Sequence, residues 1–251
     1  MARFLYRLLR ETGIDIRKSR NILQIPRYIS DYIKYKKQAK VTSLFPCLND
    51  WTEQSGSAGG HYFHQDLLVA QKIFQYNPKK HLDIGSRLDG FVAHVASFRK
   101  IEVIDIRPQK TIIENIQFSQ GDLTNLPKKL YKKYDSVLCL HTIEHVGLGR
   151  YGDKIDHEGD IKAIANLKEI VSDGGKLYLS VPIGREERVE FNAHRVYNIK
   201  TILRLLKDWK LISFSFVDDN GELHKNINIQ TIDLKNTYQL KWGCGIFEFK
   251  K

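Results

Sequence analysis

The sequence predicts an α/β protein with a mostly parallel sheet, preceded by a helical basic arm. Short apolar runs, typical of strands covered on both faces, recur between residues 81 and 181 with helical or irregular segments between them. Two further runs, Leu211–Val217 and Cys244–Phe249, predict a closing pair of strands. Most of the excess positive charge falls within residues 1–40.

We expect the arm to comprise residues 1–40 and the folded domain to comprise residues 41–251. The arm holds eleven lysines and arginines against three acids, so it carries +8 of the net charge of +11. Apolar residues recur at helical spacing in Phe4–Leu9 and Tyr28–Ile33, on either side of Pro26. Basic amphipathic helices suit an anionic membrane surface. An arm that packs a few apolar side chains on the domain is the equally open alternative. We expect no nucleic-acid partner, because no recognisable module accompanies the charge.

Composition is that of a soluble protein, with 42% hydrophobic and 27% charged residues. No apolar run approaches the ~20 residues that cross a bilayer, and the first residues lack the apolar core of a signal peptide. Cys47, Cys139 and Cys244 have no C-x-x-C spacing, which suits a reducing compartment and argues against the usual cysteine-based zinc site. We therefore expect a cytoplasmic protein, which the arm would hold at the inner face of the membrane.

The segment from residue 81 to 105 predicts one strand–helix–strand unit of the sheet. The run His81–Ile84 ends at Gly85, an amphipathic segment Phe91–Phe98 follows, and a second run ends at Asp105. In parallel sheets a nucleotide-like ligand lies beyond the carboxyl ends of the strands, where glycine lets it approach the backbone. An acid about 20 residues after the first turn accepts hydrogen bonds from ribose hydroxyls, and Asp105 stands there.

The rest of the sheet follows from similar patterns. The connection after Asp105 is too short for a helix, and a helix ahead of the first strand is predicted to begin after an Asp66 N-cap. The remaining predicted elements are strands at 116–118, 134–140 and 176–181 and helices at 67–76, 161–171 and 199–206.

Motifs at these strand ends resemble the class I S-adenosylmethionine-dependent methyltransferases. Asp83-Ile84-Gly85-Ser86 is similar to the start of their D-x-G-x-G-x-G motif, although Arg87 and Asp89 stand at the second and third glycines and Gly90 comes one residue late. The resemblance implies S-adenosyl-L-methionine as cofactor and a set of contacts in the loops after the first four strands: Asp83, Gly85, Ser86, Arg87, Asp105, Ile106, Asp122, Leu123 and His141.

A second match covers Glu144-His145 after the fourth strand, then a helix, Gly174-Gly175 and the fifth strand. Four longer stretches, at 58–66, 141–153, 181–197 and 242–247, resemble one bacterial methyltransferase-like family associated with surface-polysaccharide biosynthesis. That resemblance spans residues 45–251. It implies a Rossmann-like, seven-stranded, mostly parallel sheet with an antiparallel last strand, and a cofactor, while it leaves the acceptor undefined.

Methyl transfer to a hydroxyl needs a base, and histidine suits that task near neutral pH. His145 is our first candidate and His194 our second; for each, a hydrogen-bonded structural role is the alternative. His64, in a stretch with Tyr62 that would cover the cofactor or simply pack beneath a glycine hinge, is a candidate for substrate binding. Arg185 and Arg195 are candidates for holding an anionic acceptor group. No metal is expected.

The predicted function is therefore methylation, from S-adenosylmethionine, of a hydroxyl on a bacterial surface glycan or its lipid-linked sugar precursor. The first alternative is a non-catalytic methyltransferase-fold protein that binds or scaffolds at the membrane surface. A nicotinamide-dependent enzyme is disfavoured, because Gly85 and Gly90 supply only the outer glycines of G-x-G-x-x-G.

Overall fold

The computed structural model describes residues 6, 9–13 and 16–251, with side chains from residue 19 in the last range. The chain divides into two compact units, Met1–Ser57 and Ala58–Lys251, so the boundary predicted after residue 40 falls inside the first. That unit contains a 3-10 helix, Ile16–Gln24, and helix α1, Ile25–Lys36. Pro26 lies in the first turn of α1, where its missing N–H leaves no hydrogen bond unmade. Most of the predicted Phe4–Leu9 helix lies outside the described residues.

An eight-stranded mixed sheet, in the order β3-β2-β1-β4-β5-β10-β8-β9, organises the second unit. Strands β6 and β7 form a separate antiparallel pair. The strands are β1 His81–Ile84, β2 Ile101–Asp105, β3 Ile116–Gln120, β4 Tyr134–Leu140, β5 Val171–Ile183, β6 Arg188–Glu190, β7 His194–Val196, β8 Lys210–Val217, β9 Leu223–His224 and β10 Gly243–Lys250.

The predicted α/β class and its strand pairing are confirmed. Strands β1 to β5 pair in parallel, and β10 inserts between β5 and β8, antiparallel to both. The sheet has eight strands rather than seven, because the two-residue strand β9 adds to the edge beside β8. The connection between β2 and β3 contains no helix, as its length predicts.

The helices of this unit are α2 Gly60–Tyr76, α3 Ala93–Ala96, α4 Gly159–Ile170 and α5 Ile199–Leu205. The prediction that Asp66 caps α2 is wrong: the helix begins at Gly60, and Asp66 is buried inside it. The predicted Phe91–Phe98 helix is also shorter: its α-helical part is Ala93–Ala96, which follows a π-helical turn, Leu88–Val92, that is kinked at Gly90 (φ −118°, ψ −117°).

The sheet is covered on both faces, as the continuous apolar strands predict. Along β4, Val137 and Cys139 belong to one buried cluster, while Leu138 and Leu140 belong to the other. Alternate side chains therefore feed two cores. In the part of the chain that the structure describes, no helix is long and apolar enough to span a membrane.

Candidate functional site

A cleft opens where the loops after the parallel strands converge. The lining combines apolar side chains with three carboxylates and two imidazoles: Ile84, Gly85, Ile104, Asp105, Ile106, Arg107, Gly121, Asp122, Leu123, His141, Thr142, His145, Val146, Tyr151 and Asp153. The structure thus brings together seven of the predicted site residues, namely Gly85, Asp105, Ile106, Asp122, Leu123, His141 and His145.

The turn after β1 requires glycine at position 85. Its φ of +79° is left-handed, and an added Cβ would lie 2.4 Å from Cγ2 and 2.6 Å from Oγ1 of Thr142. Asp83 holds the turn from beneath, since its carboxylate accepts hydrogen bonds from the Ser86 N–H (3.1 Å) and hydroxyl (2.7 Å). Burial raises the pKa of Asp83 to about 7, against the effect of these hydrogen bonds. Asp83 therefore stabilises the turn through these hydrogen bonds and does not line the cleft.

A second hollow, with a cavity volume of about 540 Å³, adjoins the cleft and shares Gly85, Arg107, His141 and Tyr151 with it. Ser86 and Arg87 line this hollow, together with Tyr62, Gln65 and Asp66 of helix α2.

His64 lines a separate depression, which also includes Phe63 and Gly221. The predicted covering segment thus borders the site through residues 62, 65 and 66, while His64 lies apart from it.

Asp105, at the tip of β2, is paired with Arg107. Its Oδ1 accepts hydrogen bonds from the Arg107 N–H (2.7 Å) and Nε (2.9 Å), and a second guanidinium nitrogen pairs with Oδ2. The Arg107 guanidinium also lies 4.8 Å from the ring centroid of Tyr151, a cation–π contact. The carboxylate that resembles a ribose-binding acid is thus flanked by one cation, which the sequence did not predict.

Asp122 and its neighbours also line the cleft. Its Oδ1 accepts hydrogen bonds from the N–H and hydroxyl of Thr124, both at 2.8 Å, and so caps a 3-10 turn, Leu123–Asn125. Ile106 and Leu123 provide apolar surface beside the carboxylates of this part of the cleft.

His141 follows β4 directly, with a left-handed backbone (φ +48°) that is uncommon for a residue other than glycine. Its Nδ1 lies 2.7 Å from Oε1 of the buried Glu144, and its Nε2 is buried without a hydrogen-bond partner. Burial would raise the pKa of Glu144, but the interaction with His141 lowers it. Burial would lower the pKa of His141, but the interactions with Cys244 and Glu144 raise it well above its usual value. The ionised carboxylate accepts a hydrogen bond from Nδ1–H, so that when the ring is neutral its lone pair lies on Nε2.

His145 is held as a neutral ring on the cleft wall. Its Nδ1–H donates to the carbonyl of Ala193 (2.6 Å), and its Nε2 lies 3.6 Å from Oε1 of Glu144. Burial lowers the pKa of His145, and the nearby Arg150 guanidinium adds to this. Its Nε2 is the available proton acceptor, since Nδ1 is committed to a carbonyl.

The second candidate base, His194, and the two arginines predicted to hold the acceptor do not line the cleft. The rings of His194 and His145 have centroids 6.4 Å apart, and burial lowers the pKa of His194. Arg185 donates to Gln239 (2.8 Å) at the surface. Arg195 is buried, and its guanidinium points at backbone carbonyls of residues 144–157, the shortest contact being 2.7 Å to Val146. We infer a structural role for Arg195, because its N–H groups already donate to these carbonyls and are not available to an anionic acceptor.

Two buried residues that the sequence analysis did not select lie against His141. His61, from the first turn of α2, stacks on it with ring centroids 5.3 Å apart and also contacts Trp242 (4.4 Å). Burial, together with the neighbouring His141, lowers the pKa of His61 to about 4. Cys244, on β10, completes the group, and the ligand atoms of all three residues lie within 4.8 Å of one another.

The residues missed by sequence reasoning come from loops and from distant segments. Arg107 follows Asp105 by two positions, and Tyr151 lies in the glycine-rich loop after β4. Their closeness along the sequence to predicted site residues was the signal that could have identified them. His61 and Cys244 carried none, because their meeting depends on the insertion of β10 beside β5.

A family model described as Caenorhabditis protein of unknown function, DUF268, matches residues 93–243, more than half of the chain. No curated protein matches the sequence.

Solved structures of low identity share the fold. The N-methyltransferase NodS from Bradyrhizobium japonicum WM9, in complex with S-adenosyl-L-homocysteine, is 12% identical over 76% of this chain and 88% of that one, with a TM-score of 0.51. The 1,6-didemethyltoxoflavin-N1-methyltransferase from Burkholderia thailandensis is 11% identical over 95% and 91%, with a TM-score of 0.53. The cyclase SpnF is 13% identical over 75% and 80%, with a TM-score of 0.52. The chain therefore has the Rossmann-like methyltransferase fold, which proteins of more than one activity share.

Proposed function

The chain belongs to the DUF268 family, and we propose that it is an S-adenosylmethionine-dependent methyltransferase that acts on a hydroxyl. The observation that carries the proposal is the convergence of Gly85, Asp105, Asp122 and His145 on one cleft at the carboxyl ends of the parallel strands. Open α/β sheets bind their ligands at that edge.

The donor set fits the proposed cofactor. Asp105 offers carboxylate oxygens to ribose hydroxyls, Ile106 and Leu123 offer apolar contacts to the adenine, and glycine at position 85 leaves the backbone accessible. The two named methyltransferases of the same fold support this assignment. When bound, S-adenosylmethionine supplies an activated methyl group with its own leaving group. The protein then has to position an acceptor and remove its proton.

His145 has the geometry of the base. Its Nδ1–H is fixed by the Ala193 carbonyl, its Nε2 is the free acceptor, and its lowered pKa keeps the ring neutral at pH 7. The nearby carboxylate of Glu144 would stabilise the imidazolium that forms when Nε2 takes the acceptor's proton. His194 is a positioning residue in this scheme, because its ring packs against the ring of His145.

Isothermal titration calorimetry with S-adenosylhomocysteine tests the cofactor assignment. We expect Asp105→Asn to weaken binding about 10- to 100-fold, the effect of losing a charged hydrogen-bond acceptor. The matched control is Asp173→Asn, an exposed carboxylate far along the chain whose partner is Lys132. NAD titrated into the same protein tests the nicotinamide alternative. Absence of adenosyl-ligand binding, or equal binding by both variants, would falsify the assignment.

The acceptor we propose is a sugar hydroxyl of a surface glycan or of its lipid-linked precursor, approached from the inner face of the membrane. The first unit supports this with its basic charge and with exposed apolar side chains such as Ile22 (62% exposed) and Leu23 (78% exposed). Glycans from a strain that lacks the gene should have lost methyl groups, which mass spectrometry would detect.

Vesicle sedimentation tests the membrane partner separately. Binding of the full chain should rise with the fraction of anionic lipid and fall with salt. The Ile22→Asp/Leu23→Asp variant should bind less, whereas Ile161→Asp, at an exposed position on α4, should bind like the wild type. Equal binding by all three proteins would contradict the role of the first unit.

A non-catalytic binding protein is the second candidate, favoured by the Arg107 contacts that occupy Asp105. In that case no adenosyl ligand binds to the wild type, while Arg107→Met, which frees the carboxylate, restores measurable affinity. Tight binding by the wild type rules this candidate out.

A further inference from the structure

We propose that His61, His141 and Cys244 bind a zinc ion beside the cleft. The three side chains come from α2, from the end of β4 and from β10, and all three are buried. Their ligand atoms lie within 4.8 Å of one another. In the part of the chain that the structure describes, no other three His, Cys, Asp or Glu side chains come together in this way.

The hydrogen bonding of His141 is that of a metal ligand. Nδ1–H donates to the Glu144 carboxylate at 2.7 Å, which fixes the tautomer and aims the lone pair of Nε2 into the cluster. That Nε2 is buried and has no hydrogen-bond partner, a costly arrangement for a polar atom unless a ligand binds it. Zinc-binding histidines commonly donate their other ring N–H to a carboxylate in the same manner.

Cys244 makes only long hydrogen bonds to oxygen atoms. Its Sγ lies 3.8 Å from Gln65 Oε1 and 3.9 Å from the Gly245 carbonyl, both weak contacts for a thiol, and it also interacts with the His141 ring of the cluster. Nor is Gln65 free to move closer, because its Oε1 also accepts the hydroxyl proton of Ser180. The sulfur is therefore available as a ligand.

The donor set selects the metal. Two imidazole nitrogens and one thiolate suit Zn²⁺, a borderline-soft ion that takes tetrahedral sites. Zinc–nitrogen bonds of about 2.0 Å and zinc–sulfur bonds of about 2.3 Å place donors roughly 3.3 to 3.8 Å apart, so the group would contract by about 1 Å on binding. Three protein ligands leave a fourth position open, as in catalytic zinc sites.

The inference does not depend on the proposed function, since metal binding can be measured without cofactor or acceptor. His141 lines both the cleft and the adjoining hollow, so the ion would lie next to the candidate active site. A metal there would act as a Lewis acid on an oxygen atom of a bound ligand.

Zinc titration of the chelator-stripped full chain, against a chromophoric competitor, is the primary test. We expect one equivalent to bind to the wild type. Cys244→Ala and His61→Phe should weaken binding more than about 100-fold, and Glu144→Gln about 10- to 100-fold. The matched controls are Cys139→Ala, a buried cysteine on β4, and His64→Phe, on the same helix as His61; both should bind like the wild type.

Cobalt substitution provides a second measurement that does not require the variants to fold. Co²⁺ bound to the wild type should give tetrahedral d–d bands and a thiolate-to-cobalt charge-transfer band in the near ultraviolet. Circular dichroism establishes which variants are folded. Wild-type protein that binds no zinc, lacks the thiolate band, or binds as tightly after Cys244→Ala would overturn the proposal.

Discussion

Gly85→Ala should destabilise the protein through two separable effects. The backbone at position 85 has φ +79°, and a side chain in that left-handed region costs roughly 1 to 2 kcal/mol. The new Cβ would also lie 2.4 Å from Cγ2 and 2.6 Å from Oγ1 of Thr142, well inside van der Waals contact. Overpacking of this kind costs about 1 to 3 kcal/mol. We expect a loss of about 2 to 5 kcal/mol in the free energy of unfolding.

Removing Thr142 separates the two effects. In a Thr142→Ala background both close atoms are gone, and the remaining Cβ of residue 142 is 3.1 Å from the new methyl group. Thr142→Ala itself loses a hydroxyl that donates to the Leu140 carbonyl at 3.1 Å, with the Ile84 carbonyl at 3.2 Å. The double variant should therefore be more stable than the sum of the single changes predicts, by about 1 to 3 kcal/mol.

Urea unfolding of the four proteins in this cycle measures the coupling energy. Gly174→Ala is the matched control, because Gly174 has a similar φ of +76° and no atom within 4 Å of the added Cβ. It should lose only the backbone cost of about 1 to 2 kcal/mol. Additive effects of the Gly85 and Thr142 substitutions, or equal losses for Gly85→Ala and Gly174→Ala, would refute the steric reasoning.

Three further predictions concern buried charges. Burial raises the pKa of Asp66 from 3.8 to about 6. Between these two values the folded state binds more protons than the unfolded state, so the free energy of unfolding falls as pH rises from about 4 to 6. Asp66→Asn should abolish this fall, which amounts to about 3 kcal/mol, in urea unfolding measured from pH 3.5 to 7. Burial would raise the pKa of Glu248, but Lys176 and Lys72, each at 2.8 Å, lower it. The ionised carboxylate therefore stabilises the fold above pH 4.5, and this stabilisation is lost as pH falls further. Glu248→Gln should lower the free energy of unfolding by about 1 to 3 kcal/mol at pH 7 and should weaken its dependence on pH below 4.5. Arg195→Lys should lose about 2 kcal/mol and speed tryptic cleavage in the loop after β4, whose carbonyls the guanidinium holds; unchanged cleavage would contradict that role.

The sheet was predictable because its signal is local. Apolar runs such as Tyr134–Leu140 record burial on both faces, and the structure places that strand within the predicted bounds. Helix boundaries carried less information. Gly59 and Gly60 read as linker, yet α2 begins there with Gly59 at its N-cap, and a buried Asp66 inside the helix resembled a cap.

The site was predictable where it consists of strand ends and not where it consists of side-chain partners. Asp105 and His145 follow strands directly, so the topology alone brings them to one edge. Arg195 was misassigned because a sequence does not show that its guanidinium is buried among carbonyls. The group of His61, His141 and Cys244 was invisible, since its members are separated by 80 and 103 residues.

The position of β10 has a consequence for synthesis of the protein. This strand is the last of the ten found in the described residues, but it lies between β5 and β8 in the interior of the sheet. Ribosomes add about 5 to 20 residues per second, so roughly 60 residues after β5 leave its edge unpaired for about 3 to 12 seconds. An apolar strand with free N–H and C=O groups invites pairing with other nascent chains. Chaperone capture of the nascent protein should therefore peak after β5 emerges and fall once β10 does.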